Sequence, residues 1–168
     1  MTVGSDWATM DNGRAGHVTI VDSELTGVNA SIEVSSAAFG HNEPIPVQYT
    51  ADGEGLSPPL KWRGVPINAE AVIVLVEDAD SPTLRPLVHA IIWDLPGSDA
   101  SLPEGAVSAL WLPPDPPPGK GAHRYIFQVF ALDIVPRFES QPGRAELLEK
   151  IRGHVIAKGL LIGTYERK

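Results

Sequence analysis

Sixteen prolines and sixteen glycines punctuate this chain, and that punctuation bounds the fold before any motif is read. Proline fixes φ and gives up its N–H, and glycine weakens regular elements, so long helices have little room. The apolar runs between the breaks are rich in Val and Ile rather than Ala and Leu, which suits pleated strands. Candidate strands are His17 to Val21, Ser31 to Val34, Pro46 to Thr50, Ala71 to Glu77, Val88 to Leu95, His123 to Leu132 and Leu160 to Tyr165. Two of them, "AVIVLVE" and "VHAIIWDL", are apolar on both alternating faces, which places them in the middle of a covered sheet or sandwich. Only Arg144 to Ala157 carries a helical period, with Leu147, Leu148, Ile151, Val155 and Ile156 at the i, i+3/i+4 spacing. Gly153 inside it costs about 1 kcal/mol against Ala and marks a stop or kink. The expectation is a mainly β fold with a peripheral helix near the C-terminal end.

With 168 residues, 43% of them hydrophobic, the chain has the length and apolar content of one ordinary domain. Residues 1–30 are more polar and less patterned and read as an N-terminal arm or extra edge strand, leaving 31–168 as a single β domain. Thirteen Lys and Arg stand against 21 Asp and Glu, a net charge of -8, which repels polyphosphate chains and argues against nucleic acid as a partner. There is no cysteine, so disulfides and thiolate metal sites are excluded. The N-terminus lacks the apolar core of a secretory signal, and the apolar runs fall short of the roughly 20 residues of a membrane span. A soluble cytoplasmic protein is expected.

Chemistry concentrates in two segments. In "EDADSPTLRPLVHAIIWDLP", Asp78, Asp80 and Pro82 follow one apolar run and His89 opens the next. Two carboxylates that share a side repel unless something positive lies between them; His89, His123, Arg85, Arg124 or a bound cation are the candidates. Alternatively the acids end a strand and start a turn, as Asp before Ser-Pro often does. In "LPPDPPPGKGAHRYIFQVFALD", five prolines in six positions make a stiff wall that leads to His123 and Tyr125. Each histidine alone could be a satisfied core residue; their parallel placement, each opening a strand after a proline-containing loop, argues for a shared pocket. No HxH, HExxH, G-x-S-x-G, phosphate-loop or dinucleotide motif is present, so no metal, nucleophile or cofactor is expected. The pocket chemistry suits a small anion or zwitterion, with imidazoles for a phosphate and carboxylates for an ammonium.

These segments carry a resemblance. "IPVQYTADGEGLSPPLKW", with its G-x-x-x-S-P-P-L-x-W core, "EDADSPT" with "VHAIIWDLP", "PPDPPPGKGAHRYIFQVFALD" and "GHVIAKGLLIGTYER" occur in order between Ser31 and Arg167. Together they resemble the phosphatidylethanolamine-binding protein family, in its bacterial Raf-kinase-inhibitor-like branch. The resemblance implies an antiparallel β-sandwich, a large central sheet plus a smaller one, with one or two peripheral helices. It also implies an anion pocket at the positions matching Asp78, Asp80, Pro82, His89, Pro116, Pro117, His123 and Tyr125, and a cis bond before Pro82. Three departures stand out: Ala79 and Ser81 in the first motif, Pro113 and Asp115 where the branch usually has Gly and Cys, and a shorter loop, "EGAVSALWLPPD", that leaves one wall of the entrance open or different.

Two functions follow as expectations. One is a non-enzymatic protein that binds a phosphate-like or phospholipid headgroup ligand and modulates a protein partner such as a kinase or protease. The other is a hydrolase or isomerase with a pocket histidine as general base. A vestigial pocket on a scaffold is a third option, and a dimer is one admissible assembly. Anion affinity is expected to rise as pH falls toward 6, unless the aspartates already keep the imidazoles charged.

Overall fold

A computed structural model describes residues 19–23, 28 and 30–168. Strand β4, Ala71–Asp78, is buried at every position, and period-two alternation explains how. Val72, Val74 and Val76 face one core with Phe127, Val129 and Trp62, while Ile73 and Leu75 face a second with Phe130, Leu132 and Leu147. An unbroken apolar run is therefore two half-faces feeding two cores.

Around it, β1 (Glu33–Ser35), β2 (Glu43–Pro44), β3 (Leu60–Arg63), β5 (Leu87–Pro96), β6 (Ala100–Leu102), β7 (His123–Leu132) and β8 (Val155–Tyr165) form two sheets. The larger has the order β2-β8-β7-β4-β5 and the smaller β1-β3-β6. Pairing is antiparallel except between β2 and β8. The expected mainly β architecture of a large and a small sheet is present. The smaller sheet covers one face of the larger, while helix α2 (Arg144–Ile151) and the helical turn α1 (Ile20–Ser23) cover the other.

Several elements differ from the sequence expectation, each for a physical reason. β5 is an edge strand in hydrogen bonding, although its centre is buried. Its apolar content reflects cover on both faces, which alternation does not distinguish from a central position. Pro46 to Thr50 is a 3₁₀ turn over Val47–Tyr49 rather than a strand, closed by Thr50 N–H and Oγ1 on the Val47 carbonyl. Of the expected strand His17 to Val21, Ile20 and Val21 belong to α1, and His17 and Val18 lie outside the described residues. Helix α2 stops at Ile151, because Gly153 takes φ +81° and turns the chain, so Val155 and Ile156 serve β8. Later in β8, a Cβ on Gly159 would sit 1.9 Å from the Ile32 carbonyl oxygen, so only glycine lets these backbones approach.

The helical cover is fastened by a buried polar knot. Glu77 Oε1 accepts Ile20 N–H at 3.1 Å and Gln128 Nε2 at 2.8 Å, and Oε2 accepts Arg144 Nε. Gln128 Oε1 in turn accepts Val21 N–H at 2.8 Å. Glu77 has no exposed surface, so removing its carboxylate strands Arg144 and two buried donors. Glu77→Ala is expected to lower the unfolding free energy by about 3–5 kcal/mol in urea titrations. A loss under 1 kcal/mol would show that the knot does not hold the cover.

Candidate functional site

Because β4 runs antiparallel between β5 and β7, its C-terminal end lies beside the starts of both neighbours. Asp78 pairs with Leu87 on one side and Tyr125 on the other, which brings Asp78, His89 and His123 to one end of the sheet. His89 owes its direction to an irregularity. Val76 pairs with Ala90 and Glu77 with Val88, so His89 is the extra residue of a β-bulge. A bulge re-aims a side chain, and here it turns an imidazole toward the end of the core.

Asp78 serves as both turn former and partner, so the two readings left open by the sequence coexist. Its Oδ1 accepts Asp80 N–H at 2.8 Å, and its Oδ2 accepts His123 Nδ1 at 2.8 Å. The turn is further tied by Leu87 N–H on Ser81 Oγ at 3.2 Å. This network closes the corner with trans peptide bonds; the described residues contain no cis bond, so the cis Ser81–Pro82 bond implied by the resemblance is absent. A trans X-Pro bond is the lower-energy isomer by about 0.5–1 kcal/mol, and the side-chain bonds leave the turn no need of the other.

Asp80 parts company with Asp78. The strand ends at Asp78, so alternation does not carry over, and the two carboxylates do not share a side as expected. Asp80 Oδ2 accepts Arg124 N–H at 2.9 Å and Arg124 Nε at 2.7 Å, and Oδ1 pairs with Nη2. Of the partners proposed from sequence, His123 thus serves Asp78 and Arg124 serves Asp80.

A cavity of about 290 Å³ opens at this end of the sheet, close to the smallest volumes of small-ligand sites. Asp78, Pro82, His89, Pro116, Pro117 and His123 line it, as do Ser81, Leu87, Leu112, Pro113 and Asp115. Asp80 and Tyr125 stand behind it. Tyr125 is wholly buried, edge-on to His89 at 5.1 Å and beside His123 at 6.5 Å between ring centroids. Burial, reinforced by Asp78 and Asp115, pushes the Tyr125 phenol far up, so it stays protonated, and its hydroxyl has no hydrogen-bond partner.

The two imidazoles are held alike. His89 Nδ1 lies 2.6 Å from the Leu112 carbonyl, which can only accept, so Nδ1 carries the proton. His123 Nδ1 is held by Asp78, and among the described residues neither ring has a hydrogen-bond partner at Nε2. Burial pulls the His89 pKa below its ordinary 6.5, assisted by His123 and opposed by the Leu112 carbonyl and Asp78. Neutral His89 therefore offers a lone pair at Nε2, and cationic His89 a proton. Among the described residues the lining includes two carboxylates, Asp78 and Asp115, and no Lys or Arg.

The shortened loop does not leave its wall detached. Trp111 is buried with Nε1 donating to the Tyr49 carbonyl at 2.9 Å, and Leu112 N–H returns to the His89 carbonyl at 2.7 Å. Ser81 and Pro113 enter the sequence reading as motif departures, Pro113 also as part of the proline wall, while the lining roles of Leu87 and Leu112 escape it.

Comparison with known proteins agrees with this architecture. The family profile for phosphatidylethanolamine-binding protein matches residues 35–166. A UPF0098 protein of Chlamydia trachomatis is 38% identical over 151 residues, 81% of this chain and 99% of that one. Another from Methanothermobacter thermautotrophicus is 34% identical, also over 81% of this chain and 99% of its own length. Among solved structures, a phosphatidylethanolamine-binding protein homologue from Chlamydia trachomatis is 35% identical with TM-score 0.75, covering 83% of this chain and 100% of that chain. The fold also matches E. coli YbcL at TM-score 0.75, with 23% identity over 82% of this chain and 99% of that chain. By profile, sequence identity and fold together, the chain belongs to the phosphatidylethanolamine-binding protein family.

Proposed function

We propose that the cavity is a binding site, without turnover, for a small ligand bearing a phosphate-like group. The observation that carries this reading is the matched pair of imidazoles, each with Nδ1 engaged by the protein and Nε2 without a partner among the described residues. A phosphate oxygen accepts from a protonated Nε2, and a protonated phosphate oxygen donates to a neutral one. With Asp78 and Asp115 in the lining, the ligand is favoured as a protonated monoanion or as a zwitterion whose ammonium meets a carboxylate. Membership of a family described by phosphatidylethanolamine binding supports a headgroup of this class. A protein partner such as a kinase or protease would sense occupancy of the cavity.

A second reading has one observation in its favour. The Asp78–His123 pair holds an imidazole in a single tautomer, as a general base requires. A phosphatase and esterase screen that detects turnover, abolished by Asp78→Asn, would establish it in place of simple binding.

Calorimetry with inorganic phosphate and with phosphoethanolamine tests the binding reading. Wild type is expected to bind, and His89→Ala and His123→Ala each to lose about tenfold, as for a hydrogen bond to a charged group. Absence of binding by wild type, or wild-type affinity retained in both variants, overturns it.

The pH dependence follows in sign from His89. Its pKa is depressed in the free protein, so an anion that binds the imidazolium must bring a proton with it. Sulfate keeps one charge state between pH 8 and 5, so any change in its affinity comes from the protein. Its affinity is expected to rise as pH falls through the pKa that His89 takes in the complex, by at most about tenfold per pH unit for each proton taken up, and to level off below the free His89 pKa. A sulfate affinity that is flat with pH, or that weakens on acidification, excludes His89 as an anion ligand.

A further inference from the structure

The proline wall cannot knit itself together. From Pro113 to Pro118 only Asp115 has a backbone N–H, so the segment must be held through its carbonyls and one side chain. Ala51 N–H donates to the Pro114 carbonyl at 2.9 Å. The other fastening comes from the C-terminal end of the chain. Arg167 Nη1 donates to Asp115 Oδ1 and to the Pro116 carbonyl, the latter at 3.2 Å. The Arg167 carbonyl accepts Gly119 N–H at 2.9 Å.

Arg167 is itself gripped. Asp52 takes Nη2 at 2.9 Å and Nε at 3.2 Å, and Tyr165 donates its hydroxyl to the same carboxylate at 2.7 Å. One planar guanidinium thus ties the turn after the Val47–Tyr49 3₁₀ segment to two residues that line the cavity, Asp115 and Pro116. Neither Asp52 nor Arg167 lines the cavity.

We propose that Asp52 and Arg167 form a strut that seats the proline wall, and that they are positioning residues for ligand binding in the cavity. The inference rests on the binding reading above, and it adds a determinant more than 100 positions away from Asp52 in sequence. Charge and position act in opposite directions here, which makes the role testable. Through its field alone, removing the negative charge of Asp52 would tighten anion binding. Through the strut, it frees Arg167, loosens the wall and weakens binding.

Two measurements on Asp52→Asn, Arg167→Ala and the double variant decide the matter. In protein without ligand, amide hydrogen exchange at Ala51, Leu112 and Gly119, each bonded to or within the wall region, is expected to accelerate about fivefold in each single variant, the upper range for a partly exposed ion pair. Inorganic phosphate affinity is expected to fall by a similar factor, with the double variant no weaker than Arg167→Ala alone. Arg167→Lys keeps the charge but loses the fork, and it is expected to fall between Arg167→Ala and wild type. Unchanged exchange, tighter binding by Asp52→Asn, or additive losses overturn the strut. Should wild type fail to bind phosphate, the binding reading falls, while amide exchange still decides whether the strut holds the wall.

Discussion

The cavity depends on β4 being covered on both faces. A strand enclosed in this way must place side chains strictly by alternation, because a one-residue slip would exchange its two cores. The consequence shows at its C-terminal end, where adjacent acids do unrelated work. Glu77 points to the helical side and fastens the cover, and Asp78 points to the other side and holds a histidine. Two carboxylates adjacent in sequence are thus turned to opposite faces, each with its own partner, Arg144 for Glu77 and His123 for Asp78.

Electrostatically the site is not a positive basin. Its charges are paired within the protein: Asp78 with His123, and Asp115 with Arg167. What remains open is a set of directional groups in a desolvated corner, where hydrogen bonds gain strength but an uncompensated dianion would meet two carboxylates. Selection in such a corner depends on where the ligand carries its protons, more than on its total charge. The acidic chain as a whole opposes long-range attraction of anions, so under the proposed binding function close geometry supplies the affinity.

Much of the large sheet was legible in the sequence because β4, β5 and β7 are long and rich in Val and Ile. The two-residue β2 and the strands β3 and β6 carry too few positions for a period to emerge. Asp78, His89 and His123 could be singled out because each stands at or near a strand end, and the wall prolines because a run of them is stiff. The split between Asp78 and Asp80 could not, since it turns on where β4 stops. The bulge at His89 is hidden too, because one extra residue in an apolar run leaves no compositional trace. Arg167 and Asp52 are joined by a contact between residues 115 positions apart, and a single half-buried arginine carries no local signature of its partner.

The segment that walls the cavity has a second effect on how the chain meets other chains. β5 is the outer strand of the large sheet, and an outer strand normally presents unused carbonyls and amides to any strand that drifts past. Here Leu112 N–H takes the His89 carbonyl and Gln141 Nε2 takes the Ile91 carbonyl at 2.7 Å. The opposite border is β2, two residues long and ending in Pro44. Both borders of the large sheet are thus poor templates for strand addition, and assembly through them is disfavoured. A change that unseated the proline segment would do more than open the cavity: it would uncover part of a strand border and raise the tendency of the protein to aggregate.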